Sequence, residues 1–333
     1  MHDSGKIALF SLGLVMVLLS TFIIAISFGG SRIAFAEVIK IMTWQQPSSV
    51  AHSIIWQIRL PRVLLGFVVG ALLGMAGAVS QGVFRNPLAE PGLIGVSGGA
   101  SLAAVACIIL WPDGPLWRIP LAAFVGGLLA THATLGIAKA AGSQGLTLIL
   151  AGLAVNIIAG AGVGLGSYFA DANQWRLITF WQLGSLSTAN WPKLWITLSL
   201  LTLTAIPLLS HWRFLNALLL GESEARHLGF NVKRNKNICI LWMALAVAAA
   251  VAFCGSIGFV GLIMPHVVRI FTGPNHKLVI PFSALAGGCF LVVADLVARA
   301  LFAPLELPLG VITALVGGPV FISLMVRQHR RRA

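Results

Sequence analysis

Arg85-Asn86-Pro87-Leu88-Ala89-Glu90-Pro91-Gly92-Leu93-Ile94-Gly95-Val96-Ser97-Gly98-Gly99-Ala100 is a polar, proline- and glycine-broken stretch between two long apolar runs. The chain is 58% hydrophobic, and only 9% of its residues are Asp, Glu, Lys or Arg. Soluble domains carry about 25% of such residues. Runs of about 20 apolar residues, enough to cross a hydrocarbon core of about 30 Å, recur along the whole length. They are too long and uniform for barrel strands, and every backbone group in lipid must be bonded internally. The fold class is therefore all-α: a polytopic membrane protein with about ten transmembrane helices. In such a protein, irregular backbone between spans persists only where protein or water satisfies its polar groups. The quoted stretch is thus expected to be a shaped, protein-lined segment.

Ten spans are expected, at about 7–28, 62–84, 94–111, 119–140, 146–168, 192–210, 237–254, 257–270, 279–301 and 308–326. The eighth is short and contains Pro265, which suggests a tilted or broken helix. No compositional linker divides the chain, so 1–333 is read as one transmembrane domain. Gly66, Gly70, Gly74, Gly77 and Gly82 lie within one span. Small residues so spaced let helix backbones approach closely. With both termini cytoplasmic, fourteen of the 22 lysines and arginines fall on the inner face, as the positive-inside rule requires. The net charge of +13 then reflects topology and contact with membrane lipid, not nucleic acid, since there is no soluble domain to hold a basic face.

Several other functions are excluded. Ala34-Phe35-Ala36 resembles a signal-peptidase site, but the run from Ile7 to Phe28 has the length of a span and is expected to stay as an uncleaved first helix. Cys107, Cys239, Cys254 and Cys289 form no close pairs and read as small buried apolar residues. The only Gly-Lys pair, Gly5-Lys6, lacks the preceding glycine of a phosphate-binding loop, so the chain is not expected to bind ATP. No catalytic constellation or metal-ligand spacing is present, so no catalytic residue, metal or cofactor is assigned and the chain is not an enzyme by itself. His132, Asn156 and Gln81, apparently inside spans, are expected to hydrogen-bond neighbouring helices.

A second polar cluster, Leu220-Gly221-Glu222-Ser223-Glu224-Ala225-Arg226-His227-Leu228-Gly229, lies in the longest charged connection. Glu222 and Arg226 stand four apart with the acid first, the better order for a helical pair. Gly229 can end that helix in a left-handed conformation. The segment reads as a short capped helix, either solvated or a docking element. A third cluster, Gly255-Ser256-Ile257-Gly258-Phe259 followed by Pro265-His266 and Arg269, interrupts an otherwise apolar helix.

These three clusters resemble the signatures of the permease subunits of type II ABC importers, which carry vitamin B12, ferric siderophores or heme. Trp56-Gln57-Ile58-Arg59-Leu60-Pro61-Arg62 and Glu306-Leu307-Pro308-Leu309-Gly310 match the same pattern, in the family's order, from Trp56 to the C-terminus. The resemblance implies a homodimer around a central pathway in the bacterial inner membrane. Two ATPase subunits, which hold the ATP and Mg, would sit on the cytoplasmic face, and a periplasmic substrate-binding protein would deliver cargo. It implies that the segment at about 220–229 is the coupling helix, with Gly221, Glu222, Ala225, Arg226, Leu228 and Gly229 matching the motif. It further implies that Arg59, Arg62 and Arg299 dock the binding protein. Arginine's planar fork suits carboxylates, with interfacial snorkelling as the lesser alternative for Arg59 and Arg62. An intrahelical pair with Asp295 would explain Arg299. The pathway is expected along the fifth span, through Ala151, Gly152, Asn156, Gly160 and Gly164. The Glu90–Gly99 stretch and Phe180–Leu186 rank the substrates as heme, then ferric siderophore, then B12. The rival from another class is an ion-coupled secondary transporter, which would need paired intramembrane acids; Asp295 and Glu306 are the candidates.

Overall fold

Each expected span is helical in the computed structural model, which describes residues 4–28, 33–43, 50–142, 145–301 and 305–330. The first half of the chain forms α1 (Ser4–Ser27), α2 (Phe35–Met42) and α3 (Val50–Ser53). A π turn (Ile54–Arg59) then runs straight into α4 (Leu60–Val83), and a 3-10 turn (Pro91–Ile94) precedes α5 (Val96–Leu110), α6 (Arg118–Ala140) and α7 (Gly145–Phe169). The second half comprises α8 (Ala172–Leu183), α9 (Trp191–Ser210), α10 (Trp212–Leu220), α11 (Glu222–His227), α12 (Val232–Cys254), α13 (Val260–Thr272), α14 (His276–Ala300) and α15 (Leu309–Arg330). Among the described residues eight helices are long and apolar enough to cross a membrane, and α5 and α13 are shorter apolar helices. These ten are the expected spans; α2, α8 and α10 are additional.

Local sequence sets the helix starts. Asp171 caps α8 by accepting from the backbone N–H of Asn173 and Gln174, while the Gln174 side chain accepts from Asp171 N–H. This reciprocal box satisfies N–H groups that would otherwise be orphaned. Asn190, Asn231 and Asn275 cap α9, α12 and α14 in the simpler way.

Helix α4 is the centre of the bundle, surrounded by α14, α12, α13 and α9. Lipid tails are as apolar as leucine, so helices associate in a bilayer through close packing. The α4 glycines provide it. A Cβ added at Gly70 would overlap the Gly287 carbonyl oxygen, one at Gly74 that of Ser283, and one at Gly77 that of Gly261. The glycine spacing therefore does the packing work expected of it. Most of α1, α7, α9 and α15 lies on the outside. Trp56, Trp191 and Trp195 stack at one end of the bundle, with centroids 6.4 and 6.3 Å apart. Near the opposite end Trp212 lies beneath the cations of Arg213 and Lys277. Tryptophans at both ends form the interfacial belts of a membrane protein.

The eighth span begins at Val260, three residues later than expected. Gly255 (φ 73°) and Phe259 (φ 69°) take left-handed backbone, which ends α12 and turns the chain into α13. For phenylalanine such a conformation costs about 1–3 kcal/mol, so the surroundings must enforce it.

Candidate functional site

Three polar regions interrupt the apolar bundle. The first is the irregular segment at 85–95. Glu90 extends from it and accepts a hydrogen bond of 2.8 Å from the Phe259 N–H at the start of α13. A carboxylate at a helix N-terminus satisfies an orphan donor and complements the positive end of the helix dipole. Asn156 of α7 holds the same segment: its amide nitrogen donates to Gly92 O at 3.1 Å, and its oxygen accepts from Gly98 N–H at 3.1 Å. A cavity of about 300 Å³ lies between Glu90, Ser97, Asn156 and Ser256. Protein groups thus satisfy the irregular backbone, as expected. Glu90 carried no assignment from sequence, although an acid beside Pro91 between two spans was a usable signal.

The fifth-span residues divide between two faces of α7. Ala151 is buried, Gly152 abuts the Leu93 carbonyl, and Asn156 grips the irregular segment, so these three face the protein. Gly160 and Gly164 meet nothing within 4 Å and open outward. They continue an exposed apolar stripe through Leu146, Leu150, Leu153 and Ile157. Of the other intramembrane polar residues, Gln81 donates to Leu262 O at 3.0 Å and accepts from Arg269, bridging α4 and α13. His132 behaves differently from expectation. Its ring bonds Leu128 O in its own helix, because it lies on an exposed face of α6.

The second region is the short helix at 220–229. Gly221 (φ 133°) turns the chain out of α10, and Ala225 is fully buried beneath α11. At the other end Gly229 (φ 88°) is left-handed; its N–H donates to Arg226 O at 2.9 Å, and Phe230 N–H donates to Ala225 O at 3.1 Å. This is the Schellman arrangement, which satisfies the last carbonyls. The expected Glu222–Arg226 side-chain pair is replaced. The Glu222 carboxylate takes Lys236 of α12 at 2.5 Å, and Arg226 Nε donates to the Glu222 carbonyl at 3.2 Å. The hydrogen bond from Lys236 holds the Glu222 carboxyl below the usual carboxylate range. α11 is therefore tied to a spanning helix by an ion pair, while Leu228 stays 61% exposed.

The third region gathers Arg59, Arg62 and Arg299 at the end opposite α11. Arg59 donates to the Ile26 and Ser27 carbonyls at 2.6 and 2.8 Å. Arg299 donates to those of Ala25 and Phe28 at 2.8 and 3.2 Å. Two guanidinium groups thus cap the C-terminal carbonyls of α1, where cations are favoured. Arg62 forks between Asp295 at 2.8 Å and Glu306 at 3.0 Å, and Asp295 also pairs with Arg299 at 3.2 Å. All three arginines and Asp295 are buried. The arginines are engaged inside the protein and do not project from an exposed rim. Asp295, with an arginine on each side, is committed to this network.

Comparisons with known proteins agree with one another. The pattern of the FecCD transport family matches residues 16–327. The hemin transport system permease protein HmuU of Yersinia pestis is 39% identical over 328 residues, which is 97% of either chain. A cobalamin import system permease protein, BtuC, of Halobacterium salinarum is 43% identical over 279 residues, covering 83% of this chain and 74% of that protein. Among solved structures, an inward-facing conformation of a metal-chelate type ABC transporter superposes with a TM-score of 0.85. It is 33% identical and covers 95% of this chain and 98% of that one.

Proposed function

The chain belongs to the FecCD transport family, and from that premise we propose that it is the permease subunit of an ATP-driven importer carrying heme into the cytoplasm. The observation that carries the reading is the end-to-end likeness to a hemin permease, 97% of each chain. A second reading, B12 or a related corrinoid, draws on the 43% identity to a cobalamin permease over a shorter stretch. Ferric siderophore is a third reading within the same family.

The proposed assembly is a homodimer in the bacterial inner membrane, both termini cytoplasmic, with two ATPase subunits inside and a binding protein outside. ATP and Mg belong to the ATPases. The exposed stripe of α7 supports this dimer: it is an apolar face that the rest of the chain leaves open. The pathway then runs between the two α7 stripes, with Gly160 and Gly164 on its wall and Ala151, Gly152 and Asn156 bracing it from behind. A flat, rigid cargo passes most readily along a smooth wall without strong anchoring groups, since an interaction drives a step only if it differs between states.

α11 is proposed as the coupling element. Gly221 and Gly229 shape its ends, Ala225 seats it, and Glu222 transmits its motion to α12 through Lys236. Leu228 and Arg226 meet the ATPase. For docking of the binding protein, Arg59, Arg62 and Arg299 hold the outer ends of α1, α4 and α14 in the shape the partner meets. All three are buried and bonded within the protein, so they act by positioning that surface. An ion-coupled transporter is disfavoured because Asp295 is committed to arginines.

Growth on heme as sole iron source tests the reading. Cells with this permease, its ATPase and its binding protein should grow, and deletion of the permease should abolish that growth but spare B12-dependent growth. Loss of B12 growth with heme growth intact would overturn the substrate.

A further inference from the structure

Beside α11 the ends of four spanning helices enclose a cavity of about 760 Å³. It is layered. Lys139, Lys233 and Lys236 stand at its mouth with Arg226, and the one acid, Glu222, is already paired with Lys236. Leu135, Leu148 and Ile240 line it too. Leu135 lies one turn deeper than Lys139 on α6, and Ile240 one turn deeper than Lys236 on α12. Leu148 lies about one turn inside the start of α7. Cations thus sit at the level where helices leave the membrane, with aliphatic side chains one turn further in.

We propose that this cavity binds an anionic phospholipid, its phosphate between Lys139 and Lys233 and its glycerol and upper acyl chains against Leu135, Leu148 and Ile240. Basic pockets between spanning helices attract acidic headgroups, with a contribution that corresponds to about fivefold in affinity for each lysine. A free anion would use the cations but not the aliphatic wall, and a neutral lipid the wall but not the cations. Both layers are present together, and only an acidic lipid uses both. The site adjoins the Glu222–Lys236 bridge, so its occupant would rest against the element proposed to couple to the ATPase. The lipid site does not depend on which cargo is carried.

The test is a titration of the purified full-length permease in detergent, with bound lipid counted by native mass spectrometry. Dioleoyl phosphatidylglycerol is compared with phosphatidylcholine of the same chains. Phosphatidylglycerol should bind about 25-fold more tightly, fivefold for each of the two lysines. Lys139→Gln with Lys233→Gln should lower its affinity roughly 25-fold and leave phosphatidylcholine unchanged. Both lysines are exposed, so helicity should match the wild type. Leu148→Asn, which makes the wall polar without adding charge, should weaken both lipids. Equal binding of the two lipids, or undiminished phosphatidylglycerol binding by the double variant, would overturn the proposal. So would displacement of the lipid by millimolar inorganic phosphate, which would mark a free-anion site. Complete loss of the lipid on adding the ATPase subunits would assign the cavity to that interface instead.

Discussion

Replacing Asp295 with asparagine keeps the side chain's shape and removes its charge from the centre of the outer network. Asp295 is 2% exposed. Its carboxylate accepts from Arg62 Nε at 3.0 and 3.1 Å and from Arg62 Nη2 at 2.8 Å, and it forms an ion pair with Arg299 Nε at 3.2 Å. The substitution leaves two buried guanidinium groups with one carboxylate, Glu306. Removing one partner of a buried pair costs about 3–5 kcal/mol, because the other charge stays buried without compensation. Glu306→Gln is the matched control. That side chain is 42% exposed, solvent screens its pairing, and its loss should cost about 0–1 kcal/mol. The two variants should therefore differ by about 3 kcal/mol, roughly two orders of magnitude in the folding equilibrium. The assay is reversible unfolding of the purified permease in mixed micelles of increasing denaturing-detergent fraction, followed by loss of helicity. A wild-type-like Asp295→Asn variant, or equal losses in both, would refute the view that the arginines are held internally.

Four further outcomes are expected. Glu222→Arg sets like charge against Lys236 and should uncouple ATP hydrolysis from transport without lowering bundle stability; normal substrate-stimulated transport would remove α11 from the coupling role. The depressed Glu222 carboxyl should stabilise α11 at every pH above the ordinary glutamate value of about 4.3. That contribution is lost only as pH falls through the lower folded value, and amide exchange at Ala225 to Phe230, corrected for intrinsic rates, would show it. Glu90→Ala orphans the Phe259 N–H and should cost about 1–3 kcal/mol by the same unfolding assay, with Glu90→Gln recovering part. Gly160→Trp faces open space and should fold yet block uptake, whereas Gly152→Val would strike the Leu93 carbonyl and should reduce the amount of folded protein; an uptake-competent Gly160→Trp would move the pathway away from α7.

Eight of the ten expected spans were legible because length and hydropathy suffice to define them, while α5 and α13 are shorter apolar helices; the glycine-rich face of α4 was legible because small residues recur at helical spacing. The break before α13 was visible in Gly255, Gly258 and Pro265, though not its exact start, which depends on the left-handed Phe259. α2, α8 and α10 are short helices beside spans, which hydropathy alone does not separate. The larger omissions concern contacts distant in sequence. Glu90 meets Phe259 across 169 positions and Arg62 meets Asp295 across 233. No local periodicity encodes such pairs. The same cause misdirected Glu222, whose helical neighbour Arg226 was the obvious partner until the fold brought Lys236 nearer. For α7, composition revealed a smooth helix but not which of its glycines faces a neighbour.

Transport in a defined system tests the central claim most directly. The permease is reconstituted into liposomes with its ATPase, ATP and Mg inside and its binding protein outside, and accumulation of heme, B12 and a ferric siderophore is measured. The expected result is heme accumulation that requires ATP and the binding protein and stops with Gly160→Trp. Heme uptake that persists without ATP, or ATP-driven uptake of B12 or ferric siderophore with none of heme, would contradict it.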